Sequence, residues 1–492
     1  MARAFSAEQP LVLLQGLEHM AVAYLGAHKL NTTGLQRQLG DAIRGSEADY
    51  TKISLNRAIL LLAVPMMLEL VMESTFAVVD IYFVGKLGAS AVATVGLTET
   101  ILFMLYAIGI GLAMGVTAVV ARRIGEQQPE AAAEAAVQAI LVGVLASIPF
   151  ALAGLFFARE LLALMGADAW TLEHGYRYTQ WMLGGNLVIV LLFIINAIFR
   201  GAGDAAIAMR VLWIANGINI VLNPLLIFGW GPLPELGVQG SAVATNIGRG
   251  VGVAVQLYSL FSGGKHIRLT FAQVRIKLDV LATIIKTSLG GIGQMVVAMT
   301  SWIFLMRILA DIGSTAVAGA TITIRVMMLT MMPAWGMSNA AATLVGQNLG
   351  AGQPERAEAT VWKIGYYNMV FLLAVSLVYW LLNDEIMRLF SDDATVVAIG
   401  ADWLRILSYS YFVYGWWMVS VQAFNGAGDT RTPTLINVVF FWLLQIPLSW
   451  WLAIRLEWAE SGVFWGVFIS ETAVGLFTLW LFSKGSWKTV KV

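Results

Sequence analysis

Gly201-Ala202-Gly203-Asp204 recurs letter for letter as Gly426-Ala427-Gly428-Asp429. The offset is 225 residues, and other landmarks keep it: Gly88 with Gly313, Gly111 with Gly336, Gly125 with Gly350, Pro129 with Pro354, and Gly237-Val238 with Gly462-Val463. One offset held over some 150 residues marks an internal duplication. Both copies are filled by long apolar runs. In the first they lie near 56–84, 90–121, 132–158, 171–199, 205–229 and 236–262. In the second they lie near 279–310, 315–347, 357–382, 396–424, 430–455 and 461–484. Each exceeds the roughly 20 residues a helix needs to cross a bilayer.

Composition agrees. Of 492 residues, 59% are hydrophobic and 12% charged, where soluble domains carry about 25% charge; mean hydropathy is +0.76. Too little charge remains to cover soluble domains of this total length. A segment in lipid must satisfy its own backbone, so helices are the default. The expected fold is an all-α polytopic membrane protein of twelve transmembrane helices in two six-helix lobes. An even number of spans per copy makes both copies enter from the same side. The lobes are then related by a pseudo-two-fold axis along the membrane normal, with a cleft between them. The division reads as an amphipathic N-terminal extension (1–54), a first lobe (55–262), a cytosolic linker (263–278), a second lobe (279–484) and a cytosolic tail (485–492).

Basic residues set the orientation. One set of loops carries Arg122, Arg123, Arg200, Arg210, Arg268, Arg275, Lys277, Arg356, Arg431 and Lys484; the other has mainly Lys86, Arg159, Arg388 and Arg455. The first set reads as cytosolic, with both termini, in a cytoplasmic (inner) membrane. The run Leu11 to Leu25 is too short to span, and only Arg3 precedes it as a basic start, so it is not read as a signal peptide. Basic and acidic residues balance at thirty each, which indicates no nucleic-acid partner. The absence of cysteine excludes disulfides and thiolate metal sites.

Acids inside apolar runs are the candidate functional groups, because charge at the bilayer centre costs about 2.5–3.5 kcal/mol on insertion scales. Glu69, Glu73 and Asp80 share the first span. At about 100° per residue they fall within some 40° of one another, on one stripe. Glu99 lies in the second span. The tenth span carries Tyr409, Tyr411, Tyr414, Trp416 and Trp417, whose faces suit cationic organic molecules. Met327, Met328, Met331 and Met332 offer an adaptable wall. Pro65, Pro224, Pro333 and Pro447 are candidate bends. Enzyme chemistry finds no support: Gly263-Gly264-Lys265-His266 lacks the rest of a P-loop, and His19, His28, His174 and His266 form no zinc motif. No catalytic residues and no cofactor are expected.

The segment Leu344-Val345-Gly346-Gln347-Asn348-Leu349-Gly350-Ala351-Gly352-Gln353-Pro354-Glu355-Arg356-Ala357 resembles a signature of the multidrug and toxic compound extrusion (MATE) family. Residues 120–131 echo it, and Val79 to Gly88 resembles the family's first helix. The resemblance covers about residues 51 to 484. It implies two V-shaped lobes and cation-coupled efflux of bulky organic drugs or toxins, often cationic. It also implies cation coupling at Asp80, with Asn219, Asn223 and Thr245 as neighbours. Asn223 stands where related members often have aspartate. Carboxylate and amide oxygens suit sodium, whereas a lone carboxylate suits a proton. The missing acid tips the reading towards protons, with Glu69, Glu73 and Glu99 as additional candidate acids and no metal beyond a sodium ion at Asp80. Members of the norfloxacin-pump branch carry acids in the seventh and tenth helices. Here the seventh has Gln294, so the chain looks closer to the DNA-damage-inducible (DinF-like) branch. Gln294, Tyr409, Tyr411 and Tyr414 are the expected substrate cleft. The expected protein is a monomeric antiporter amid membrane lipids. The alternative is a lipid-linked saccharide flippase of the same two-lobe plan, for which Arg249, Arg307 and Arg325 are the candidate buried basic residues.

Overall fold

The computed structural model describes residues 32–46, 48–231, 233–263 and 266–490. A surface helix, α1 (Thr32–Arg44), packs on α2 (Leu55–Gly85). The first part of the expected amphipathic extension, residues 1–31, lies outside the described residues. The first lobe continues with α3 (Ala89–Gly125), α4 (Pro129–Leu164), α5 (Thr171–Ala202), α6 (Ala205–Phe228) and α7 (Val238–Ser262). The second has α8 (Leu278–Ile312), α9 (Ser314–Gly350), α10 (Pro354–Arg388), α11 (Ala394–Ser408 and Tyr411–Ala427), α12 (Arg431–Arg455) and α13 (Ala459–Ser483). No strand occurs among the described residues.

Ten of these helices are long and apolar enough to cross a membrane, and α11 makes an eleventh if its two segments, bent by 62°, count as one. The twelfth expected span, α7, is 25 residues long, about 37 Å at 1.5 Å per residue. It falls short on hydropathy because it carries Ser241, Thr245, Asn246, Arg249 and Gln256. Its partner α6 covers it: Gly240 and Gly248 bring its backbone against Leu226 and Ala215.

The duplication is physical. Residues 89–125 and 314–350 are helical in register, as are 186–202 and 411–427. Both tetrapeptide turns end a helix with a left-handed glycine, φ +95° at Gly203 and +90° at Gly428, the conformation that caps a helix at little cost only for glycine. The helix breaks correspond as well: Phe157 in α4 and Leu382 in α10 have non-helical backbone. Helix α6 runs through Pro224, while Pro447 sits between two π-helical stretches of α12.

The halves meet as a two-fold requires. A Cβ at Gly111 would strike Ile292, and one at the equivalent Gly336 would strike Met67, the equivalent of Ile292. Gly125 abuts Gln347 just as Gly350 abuts Arg122. These reciprocal contacts are the pattern of an isologous interface. All of them lie in the C-terminal halves of α3 and α9, at the basic end of the molecule. Gly88 and Gly96, at the other end of α3, face nothing within 4 Å. The cleft is therefore shut at the basic end.

Further bonds close that seam. Arg122 donates to the carbonyls of Ala427 (3.3 Å) and Val490 (2.7 Å), and Gln347 donates to that of Gly201 (3.0 Å). Tyr50, ahead of α2, donates its hydroxyl to Gly203 O (3.0 Å), and Arg356 donates to the carbonyls of Tyr50 (3.0 Å) and Ile53. Burial, with the charge of Asp204, holds the Tyr50 hydroxyl above its ordinary range, so it remains a donor.

Candidate functional site

Four helices of the first lobe build a polar ladder. Its uprights are α2, whose acids share one stripe, and α5, α6 and α7, whose amides and arginines answer them. At the lowest rung, nearest the basic end, Glu69 is buried and accepts from Asn196 (3.2 Å) and Arg200 (3.1 Å) of α5. At the next rung Glu73 accepts from Asn216 of α6 (3.0 Å) and Arg249 of α7 (2.8 Å). Above it Asn219 of α6 donates to Thr245 of α7 (2.9 Å). At the top Asp80 accepts from Asn223 (2.6 Å) and Ser241 (2.6 Å), both on one oxygen.

The helical repeat makes this arrangement. Ser241, Thr245 and Arg249 are four residues apart on α7, hence on one face. Asn216, Asn219 and Asn223 recur at three and four on α6, and these faces meet α2. The charge balance differs along the ladder. Glu69 and Glu73 each have an arginine. Asp80 has only neutral donors, and no basic side chain among the described residues is within ion-pair distance of it. On its own rung Oδ1 of Asn223, and on the rung below Oδ1 of Asn219, are buried without a donor. Glu99 is exposed and makes no hydrogen bond to the ladder among the described residues.

Two adjoining cavities open into the cleft. One, about 230 Å³, faces the first lobe and is lined by Glu69, Glu73, Arg200, Arg249 and Asn196. The other, about 290 Å³, faces the second lobe. Met114, Met332, Trp335 and Gln422 border both, so the two are contiguous. The second cavity takes in all four methionines of the expected wall, together with Gln294, Tyr414 and Trp417. Gln294 is held by Asn425 (2.8 Å) and the carbonyl of Thr430 (3.1 Å). Tyr411 and Tyr409 do not reach the cavity. Tyr411 is buried behind its wall, bonded to Thr330 (3.2 Å) and Met327 O (3.2 Å). Tyr409 is exposed at the break in α11. Trp416 packs on Gly365 and Met369 instead.

Of the three basic residues considered for a flippase cavity, only Arg249 is buried; Arg307 and Arg325 are exposed, and Arg307 pairs with Asp311 at 3.2 Å. Sequence reasoning placed Arg200 among the cytosolic loop residues, whereas it lies in α5 paired with Glu69; it passed over Asn196, Asn216, Ser241 and Glu471. Glu471 carries the signal used for the first span, an acid in the middle of an apolar run. It is buried on α13 and lines the second cavity.

A model of the family described as MatE matches residues 65–225 and 289–451, one stretch per lobe. A probable multidrug resistance protein NorM of Thermotoga maritima is 25% identical over 88% of this chain and 93% of its own length. An FAD transporter of Shewanella oneidensis is 27% identical over 80% of this chain and 87% of its own. Among solved structures, an outward-facing multidrug resistance MATE family transporter of the MOP superfamily superposes with a TM-score of 0.84. It is 24% identical, and the match covers 90% of this chain and 99% of that one.

Proposed function

Since the chain belongs to the MatE family, we propose that it is a secondary efflux transporter that carries small organic compounds, drugs or toxins among them, out through the cleft in exchange for an ion bound at Asp80. The relatives named as multidrug resistance proteins support the efflux reading. The carrying observation for the coupling site is the unequal charge balance of the ladder. An ion that binds and leaves each cycle needs a carboxylate free of a permanent counter-cation. Glu69 and Glu73 are held by arginines; Asp80 is not. Asn219, Asn223 and Thr245 complete its surroundings.

Protons are the favoured ion, because both neighbours of Asp80 already donate to it, and a hard cation needs acceptors. One observation favours sodium: the unpartnered oxygens of Asn219 and Asn223 would serve as ligands after the Asn223 amide turned over. Either ion neutralises the carboxylate, removing its demand for donors from α6 and α7. That biases the lobe between two packings.

In this reading the shut, basic end faces the cytosol of an inner membrane, both termini lie there, and one chain suffices because it supplies both walls of the cleft. A lipid-linked saccharide carrier is the weaker reading, since the buried arginines of the cleft are engaged by Glu69 and Glu73.

The test is dye efflux from proteoliposomes under separate proton and sodium gradients. Asp80→Asn keeps size and hydrogen bonding but removes the charge. Efflux driven by the effective gradient should fall to the leak rate, with the protein still folded and still binding dye. Efflux at the parent rate would sink the assignment.

A further inference from the structure

Among the described residues the second lobe holds one buried acid, and the coupling site does not use it. Glu471 is buried on α13, 7% exposed, and lines the 290 Å³ cavity. Among the described residues it accepts no hydrogen bond and has no ion-pair partner, unlike Glu69 and Glu73 across the cleft. The walls around it are apolar and aromatic: Trp302, Met327, Met331, Tyr414, Trp417 and Phe441. Tyr414 and Trp417 lie with ring centroids 4.7 Å apart, and Phe441 sits edge-on to Trp417 at 5.9 Å.

A charge in such a place is costly unless something arrives to pair with it. No side chain among the described residues does. Of the amides that border the chamber, Gln294 donates to Asn425 and Thr430, Gln422 to Asn339 at 2.9 Å and Asn437 to the Gln294 carbonyl at 3.4 Å, while Gln445 accepts from Ser301 at 2.9 Å; none is bonded to Glu471. What fits is therefore a guest that brings one positive charge and a flat apolar body. The charge answers the carboxylate. The body meets the methionine wall and the aromatic faces, where cations also gain from the ring quadrupole.

We propose that Glu471 is the specificity-determining residue of the second-lobe chamber, selecting monocationic aromatic compounds over neutral ones of the same size. This rests on the efflux reading above but not on its coupling site: Asp80 takes the driving ion in one lobe, and Glu471 takes the cargo's charge in the other. A single acid in this chamber also implies that a dication gains little over a monocation.

The experiment is equilibrium binding to the purified full-length protein, followed by fluorescence. Ethidium serves as the planar monocation and N-phenyl-1-naphthylamine as the neutral aromatic. Glu471→Gln should weaken ethidium binding at least about tenfold, equivalent to 1.4 kcal/mol, and move the neutral probe by less than about twofold. Glu471→Asp, which keeps the charge on a shorter arm, should restore most of the ethidium affinity and shows that the site survives substitution. Asp311→Asn, which removes an exposed acid of the same lobe outside the chamber, is the separating control: it should bind ethidium like the parent, and because binding is read without any gradient the result stands apart from the coupling site. Equal losses for both probes, or ethidium binding unchanged in Glu471→Gln, would overturn the assignment whatever the outcome at Asp80.

Discussion

Glu73→Gln and Arg249→Met remove opposite ends of one ion pair, and the structure makes their costs unequal. The Arg249 side chain is 8% exposed and that of Glu73 33%. Glutamine at 73 strands a guanidinium whose Nε already lacks a partner. The Phe76 ring, 5.8 Å from the guanidinium carbon, is the main compensation left. Breaking a buried pair in this way costs about 3–5 kcal/mol. Arg249→Met leaves a carboxylate that keeps Asn216 at 3.0 Å and has a third of its surface in the cleft. Solvent screening reduces that cost to about 1–2 kcal/mol. The double variant contains no orphaned charge and should lie within about 1 kcal/mol of the parent. Thermal unfolding of the detergent-solubilised protein, read as loss of the monodisperse species, should rank parent and double variant highest, then Arg249→Met, then Glu73→Gln. If the two single variants rank in the opposite order, or the double variant is worse than both, Glu73 and Arg249 are not a closed charge unit and the contrast with Asp80 collapses.

A side chain at Gly350 would fall on the Arg122 carbonyl, so Gly350→Val should prise the shut end open. Overpacking of about 1–3 kcal/mol corresponds to a shift of about 5- to 150-fold between shut and open states. Spin labels on cysteines at Gln128 and Gln353, equivalent positions on a cysteine-free background, should then report longer distances; an unchanged distribution refutes the reading. Arg356→Ala deletes two bonds to the segment ahead of α2 and should speed limited proteolysis between residues 46 and 53, with unaltered cleavage as the contrary result. A cysteine at Gln128 should resist an impermeant maleimide added to intact cells and react once the membrane is opened; labelling from outside would reverse the orientation.

Much of this was legible before any coordinates, for a physical reason. A membrane helix advertises itself by length and apolarity, and a duplication by its constant offset, so the expected spans end within a few residues of the observed ones. The shared stripe of Glu69, Glu73 and Asp80 followed from helical geometry alone. What the letters do not carry is which partner answers which acid. Arg200 stands 131 residues from Glu69 and Arg249 stands 176 from Glu73, and only packing brings them together. Tyr409 and Tyr411 were read as cleft residues because they sit in an aromatic run. The 62° bend of α11 falls at Tyr409 and Ser410 and leaves one ring outside and the other buried behind the wall. Nor does the sequence mark the breaks at Phe157 and Leu382, where no proline stands.

The reciprocal seam bears on how such a molecule could arise. Gly125 against Gln347 and Gly350 against Arg122 are two versions of one contact. A half-length ancestor bearing that surface would have been self-complementary and could have worked as a homodimer, its gate made of two identical contacts. Fusion then released each half to specialise. The acid ladder has no twin on the other side: the position equivalent to Glu73 is Ala298, and that equivalent to Glu471 is Asn246. Co-expressed as separate pieces divided within the 263–278 connection, the halves should still find each other through the contact that predates their joining.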